Sequence, residues 1–183
     1  MMSSAGVNIV PVFHRNSDAI DIGDGKFRNI FKGCLRALNH QAMYFEGLNL
    51  VYGYAEYEKG VEILDSISST YPLATIASAI FHVCLGECEK ASTAFQVFNR
   101  VTGLGLTDAR AQTFGGQFKS DLWWFAPDGY NDIPEYFQFP NDDFVQFPYC
   151  IFDNLYYHKC NNCYMFHLAK RVYEIVWFKE KQT

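Results

Sequence analysis

No stretch of this sequence is apolar for long enough to cross a bilayer. The longest such run, Leu73 to Leu85, is interrupted by His82 and falls short of the about 20 residues that a spanning helix needs. The opening MMSSAGVNIVPVFHR has no apolar block of signal-peptide length, and no Asn-x-Ser/Thr acceptor occurs anywhere. These absences lead us to expect a cytoplasmic or otherwise intracellular protein that does not engage a membrane. An excess of positive charge is missing as well. The formal net charge is −5, which argues against generic affinity for nucleic acid. Between Ser120 and His158 there is no Lys or Arg at all, against seven acidic residues. Enzyme signatures are also lacking: there is no G-x-S-x-G elbow, no phosphate-cradling Gly-rich loop and no H-E-x-x-H helix. Catalysis is therefore the less favoured expectation.

What is present is enough apolar material for a core. The chain of 183 residues is 49% hydrophobic and 19% charged, the composition of a folded globule and not of an acidic disordered tail. Aromatics reach 17%, with 17 Phe and 12 Tyr. Side chains of that size fill a core, and they also suit a surface that holds a partner. The expected fold is mainly helical, in a single domain over 1–183. It has an irregular segment at 1–24, a helical part at 25–101, an aromatic, acidic and loop-rich part at 102–162, and a C-terminal helix at 163–179.

The helical part begins where Phe27, Ile30, Phe31, Cys34, Leu35 and Leu38 follow the spacing of one buried helix face. Helical signal then continues, with interruptions, to about Val101. Gly and Thr crowd 102–120, which reads as a connection with a short helix around 107–112. From Asp121, four prolines break any long helix, and Gln-Phe-Pro occurs at both 138–140 and 146–148. Short extended segments joined by a polar turn fit that pattern. The last helix carries Met165, Leu168, Ala169, Val172 and Val176 as its core stripe.

The helical part contains a weak internal repeat. Tyr57, Gly60, Leu64 and Ile67 recur 31 residues later as Cys88, Ala91, Phe95 and Phe98, and Gly47 and Leu50 correspond to Ala79 and His82. Small residues at 47, 60, 79 and 91 let helices approach, while large ones at 64, 67, 95 and 98 fill the space between hairpins. With Leu85-Gly86-Glu87-Cys88-Glu89-Lys90-Ala91 as an inter-helix turn and Pro72 closing the first unit, the stretch 42–101 resembles tetratricopeptide-repeat (TPR) hairpins. The family's early Trp is absent. The resemblance implies a curved helical scaffold whose concave face takes a peptide or protein segment, and it implies no catalysis. A plain helical bundle accommodates the same spacing.

The sharpest local pattern is His158-Lys-Cys160-Asn-Asn-Cys163-Tyr-Met-Phe-His167. A Cys-x-x-Cys knuckle brings two sulfurs to one ion, and polar Asn161 and Asn162 suit its tight turn. Cys163 and His167 stand one helical turn apart. The pattern points to structural zinc on His158, Cys160, Cys163 and His167, with Cys150 as a substitute ligand. In His82-Val-Cys84-Leu-Gly-Glu-Cys88, the spacing places Cys84 and Cys88 on one helix face. Joined with Cys160 and Cys163 they would form a four-sulfur site. Core thiols with surface histidines account for the same residues without metal.

Three functions follow as expectations. The leading one is a non-enzymatic protein-binding module, an adaptor or subunit of a larger assembly that binds a protein partner or itself. Its anchors are Trp123, Trp124, Phe137, Phe139, Phe144 and Phe147 within the acidic stretch, the pattern of interface hot spots. The second is a small zinc-stabilised effector that binds nucleic acid through Arg28, Lys32 and Arg36, which with His40 recur every four residues. The third is a cysteine-dependent hydrolase using Cys163 or Cys160 with His14, His82 or His158.

Overall fold

The computed structural model describes residues 28–123, 150, 160, 161 and 163–177, the last of these by its backbone alone. The described residues form seven helices and no strand: α1 (Arg28–Arg36), α2 (His40–Gly53), α3 (Tyr57–Ile67), α4 (Pro72–Cys84), α5 (Cys88–Thr102), α6 (Ala109–Trp123) and α7 (Tyr164–Trp177). The expected mainly helical class holds. The extended segments expected at 138–148 lie outside the described residues. The chain divides into two compact units, Met1–Ile63 and Leu64–Thr183.

In the first unit α1 packs on α2. Cys34 is the buried residue of α1, while Ile30 is 58% exposed. Leu38 is 67% exposed, against the expectation that both belong to one buried face. For Leu38 the reason is the helix end. α1 stops at Arg36, Leu38 takes a left-handed φ of 53°, and the Asn39 side chain accepts from Ala42 N at 3.1 Å to cap α2. The turn also places His40 at the start of α2, so the basic stripe of α1 is Arg28, Lys32 and Arg36. Within α2, Tyr44, Leu48 and Val51 are buried. At Gly60 of α3 an added Cβ would lie 2.6 Å from Val51 Cγ2 and 2.7 Å from the Gly47 carbonyl oxygen. This is the close helix approach expected of the small residues at 47 and 60.

In the second unit α4 is the centre, packed on α5, α6 and α7. Pro72 sits in its first turn, where a missing N–H costs nothing. Residues 74–82 and Cys84 are all buried and Val83 is half-buried, so α4 is enclosed nearly all round, as a central helix is. Phe81 meets Phe118 of α6 edge to face at 5.5 Å, and Phe98 of α5 meets Phe114 in the same way at 5.5 Å. The turns after α2 and α4 are each three residues long, and each has a left-handed residue at its centre, Ala55 (φ 55°) and Gly86 (φ 76°). Those two positions are 31 apart, the period of the internal repeat. α5 ends in a left-handed Gly103 whose N–H donates to Asn99 O.

Two expectations change here. Cys84 and Cys88 do not share a helix face: Cys84 ends α4 and is buried, whereas Cys88 starts α5 and is exposed. The Gly86 turn separates them. The Gly- and Thr-rich stretch is not mostly connection either, since α6 runs from 109 to 123. Asp108 supports its start by accepting from Arg110 N at 2.8 Å. The helix tolerates Gly115 because Tyr164 and Leu168 of α7 press on that spot.

Candidate metal centre

The site is assembled at the start of α7. That helix buries Leu168, Ala169, Val172, Ile175 and Val176, four of which the periodicity anticipates. At its N-terminal end, Tyr164 Oη donates to Gln112 O at 3.0 Å. One turn earlier in the chain, Gln112 Nε2 donates to Asn161 Oδ1 at 2.5 Å. The Cys-x-x-Cys turn is thereby tied to α6. Within the turn, Cys163 N donates to Cys160 O at 3.2 Å, and His167 N donates to Cys163 O at 3.1 Å as the first helical bond.

This local geometry brings three sulfurs together. The Sγ atoms of Cys150, Cys160 and Cys163 all lie within 4.8 Å of one another, and Cys160 Sγ is 3.6 Å from Cys163 Sγ. Around a tetrahedral ion with metal–sulfur bonds of about 2.3 Å, neighbouring sulfurs are separated by about 3.8 Å. The pair therefore needs almost no movement to share a soft cation, and the thiol donor set suits zinc or another thiophilic metal. Cys163 is fully buried, while Cys150 and Cys160 are half-buried. Hydrogen bonding with Cys160 and partial burial push the Cys150 thiol up to about 11. Metal ions bind thiolates, so a divalent cation taken up here would displace the Cys150 proton.

Of the ligands expected from sequence, Cys160, Cys163 and the substitute Cys150 are thus brought together. His167 is half-buried one turn into α7, with its ring edge-on to Phe166, and it is not a member of the three-residue group. His158 lies outside the described residues. Cys84 is held elsewhere, buried with Sγ 3.5 Å from Ala169 O, and burial raises its thiol well above the ordinary range. Among the described residues the four-sulfur arrangement with Cys84 and Cys88 is replaced by the group around Cys150.

Of the expected binding residues, Trp123 is described. It is 42% exposed, with the Arg171 guanidinium 5.7 Å from the centroid of its ring. Trp124, Phe137, Phe139, Phe144 and Phe147 lie outside the described residues. In the basic stripe, Lys32 and Arg36 are exposed. Burial raises the Glu46 carboxyl of α2, an effect that the charge of Arg28 offsets only in part.

A second polar cluster was not anticipated. His82, 3% exposed, places Nδ1 2.6 Å from Glu87 Oε2 and Nε2 3.1 Å from Asp65 Oδ2. Ser78 Oγ donates to Asp65 Oδ1, and Lys90 Nζ donates to Glu87 Oε1 at 2.7 Å. The arrangement leaves neither ring nitrogen of His82 to act as base for a cysteine nucleophile. A signal for it existed in the sequence. Thr75, Ser78 and His82 fall at helical spacing within the apolar run of α4, where buried polar side chains require partners. What sequence could not supply was Asp65, 17 residues away.

A candidate membrane-spanning helix is absent among the described residues. No family model, no curated protein and no solved structure matches this chain.

Proposed function

We propose that the chain is a non-enzymatic protein-binding module, an adaptor or a subunit of a larger assembly, stabilised by a structural zinc ion on Cys150, Cys160 and Cys163. The observation that carries the reading is the convergence of three sulfurs on one point beside the first turn of α7. A zinc ion there would join residue 150 to the Cys-x-x-Cys turn, and so fasten the end of the aromatic, acidic stretch to the helical core. His158 and His167 are the residues to test for the fourth coordination position. Binding is ascribed to two surfaces. One is the run of TPR-like hairpins, supported by the 31-residue recurrence of left-handed turn residues at Ala55 and Gly86. The other is the aromatic segment that begins at Trp123, an exposed ring with a cation over its face.

Native mass spectrometry of the untagged, reduced protein tests both parts. We expect one zinc per chain and a protein-sized mass excess when the chain is isolated gently from its source. Chelation, or Cys160→Ser, should lower the melting temperature by roughly 4–12 °C, the shift produced by losing about 2–3 kcal/mol in a chain of this size. A bare monomer that takes up no zinc on titration overturns the proposal.

A further inference from the structure

The cluster around His82 does something the metal reading does not use. In a neutral imidazole one ring nitrogen donates and the other accepts. Here each nitrogen faces a carboxylate, Glu87 at 2.6 Å and Asp65 at 3.1 Å, and an ionised carboxylate can only accept. Both contacts are satisfied together by an imidazolium alone. The ring is almost wholly buried, while Asp65 and Glu87 keep 45% and 35% of their side chains exposed. The charge is thus enclosed on its own side and reachable through its partners.

We propose that His82 is a proton-operated latch that fastens the end of α3 and the α4–α5 turn to the end of α4. With the proton bound, one ring bridges Asp65 of α3 and Glu87, the residue that precedes α5. When the proton leaves, the ring keeps a single N–H, and its other nitrogen turns a lone pair toward carboxylate oxygen. One carboxylate must then go. Asp65 is retained by the Ser78 hydroxyl in the buried wall of α4. Glu87 also accepts from exposed Lys90 on the solvent side. Glu87 is accordingly the arm that releases, and the turn that carries it loosens at the edge of a groove of about 390 Å³ lined by Asp65, Ser68, His82, Glu89, Lys90 and Thr93.

The charged surroundings support this assignment. Burial lowers the proton affinity of the ring, but hydrogen bonds and charge from Asp65 and Glu87 outweigh it, so His82 is raised above its ordinary 6.5. Lys90 acts on both carboxylates, and Glu89 lines the same groove. α6 and α7 also pack on α4, and none of their charged groups is among those acting on His82, Asp65 or Glu87. Asp121 faces Tyr71, and Arg171 reaches Glu174 and Trp123.

Long-range proton–nitrogen NMR on the full chain reads the latch directly. Wild-type His82 should titrate with a midpoint above 6.5, with both ring nitrogens protonated below it. The exposed-side variant Glu87→Gln, which leaves the buried wall intact, should lower that midpoint. Hydrogen-exchange protection of the Glu87 and Ala91 amides, bonded to His82 O and Glu87 O, should fall roughly 10- to 100-fold across the wild-type midpoint, the scale of one lost charge-assisted hydrogen bond. Protection in α6 should not follow. A midpoint at or below 6.5, or one that Glu87→Gln leaves in place, overturns the latch.

Discussion

Two adjacent glycines in α6 should respond differently to alanine. Each is a helix-interior glycine, so alanine gains about 1 kcal/mol of helix propensity at either position. The surroundings then decide. At Gly116 the added Cβ would meet only Tyr164 Oη at 3.8 Å, an ordinary contact. At Gly115 it would lie 2.7 Å from Leu168 Cδ2 and 2.8 Å from Tyr164 Cε1. Neither neighbour moves easily: Leu168 is 4% exposed, and Tyr164 is held through Oη by Gln112 O. Forcing a methyl into such a contact costs about 1–3 kcal/mol. Gly116→Ala should therefore raise the melting temperature by about 2–4 °C, whereas Gly115→Ala should lie below it by about 2–12 °C.

The same pair tests the proposed metal centre, because Tyr164 directly follows Cys163. An α7 pushed away from α6 would disturb the Asn161–Gln112 bond and loosen the Cys-x-x-Cys turn. Zinc affinity, measured by competition with a chromogenic chelator, should fall for Gly115→Ala and stay unchanged for Gly116→Ala. Thermal unfolding followed by circular dichroism supplies the stability half. Gly115→Ala at least as stable as Gly116→Ala would refute the packing argument, since propensity alone treats the two sites alike.

Gly60→Ala should cost more than its side-chain contacts suggest, because its Cβ would also press on backbone, 2.7 Å from Gly47 O and 3.0 Å from Val51 N. A loss of about 2–3 kcal/mol in urea unfolding is expected, and a neutral result would show that α2 and α3 are free to separate there. Stability should also depend on pH through the latch. Asp65 and Glu87 are lowered by their partners, so their contribution is present above about pH 4.5 and is lost as pH falls through their folded values. His82 is raised, so its contribution is complete below 6.5 and is lost as pH rises through its folded value. The stability difference between wild type and His82→Gln should thus be largest between about pH 4.5 and 6.5, and a difference that grows from pH 6.5 to 8 would contradict it.

Sequence periodicity located α7 and the helical character of 25–101, while the division between α4 and α5 followed from the turn at Leu85–Ala91. Val172 and Val176 fall on the buried stripe of α7, and Phe98 fills the inner side of α5. It failed at α6 because glycine has no intrinsic liking for helix, and only contact with Tyr164 and Leu168 explains Gly115. It also failed at Leu38, since the apolar spacing ran on past a helix that ended two residues earlier. Cys160 and Cys163 were legible because the knuckle is local. Cys150 entered as a substitute ligand, and its approach to the pair depends on tertiary folding. The Asp65–His82–Glu87 cluster joins a helix end, a helix and a turn, and pair spacings of 17 and 5 residues match no local period.

Glu87 shows why that cluster merits experiment. It precedes α5 at the N-cap position, where Ser, Thr, Asp or Asn would normally accept from an amide of the first turn. Its side chain makes no such capping bond, although the helix leaves N–H groups there to be satisfied. Instead the carboxylate turns back to His82 of the preceding helix. A shorter Asp could cap α5 but would fall short of the bridge to the ring. Glutamate gives up the local cap, worth about 1 kcal/mol, and gains a charge-assisted bond to a buried cation, worth about 1.5–3 kcal/mol. The balance favours the bridge only while the ring holds its proton. Once the ring is neutral, the cap is still missing and the bridge is gone. The start of α5 then has neither support, so a change of one proton on α4 is felt at the turn that joins the two helices.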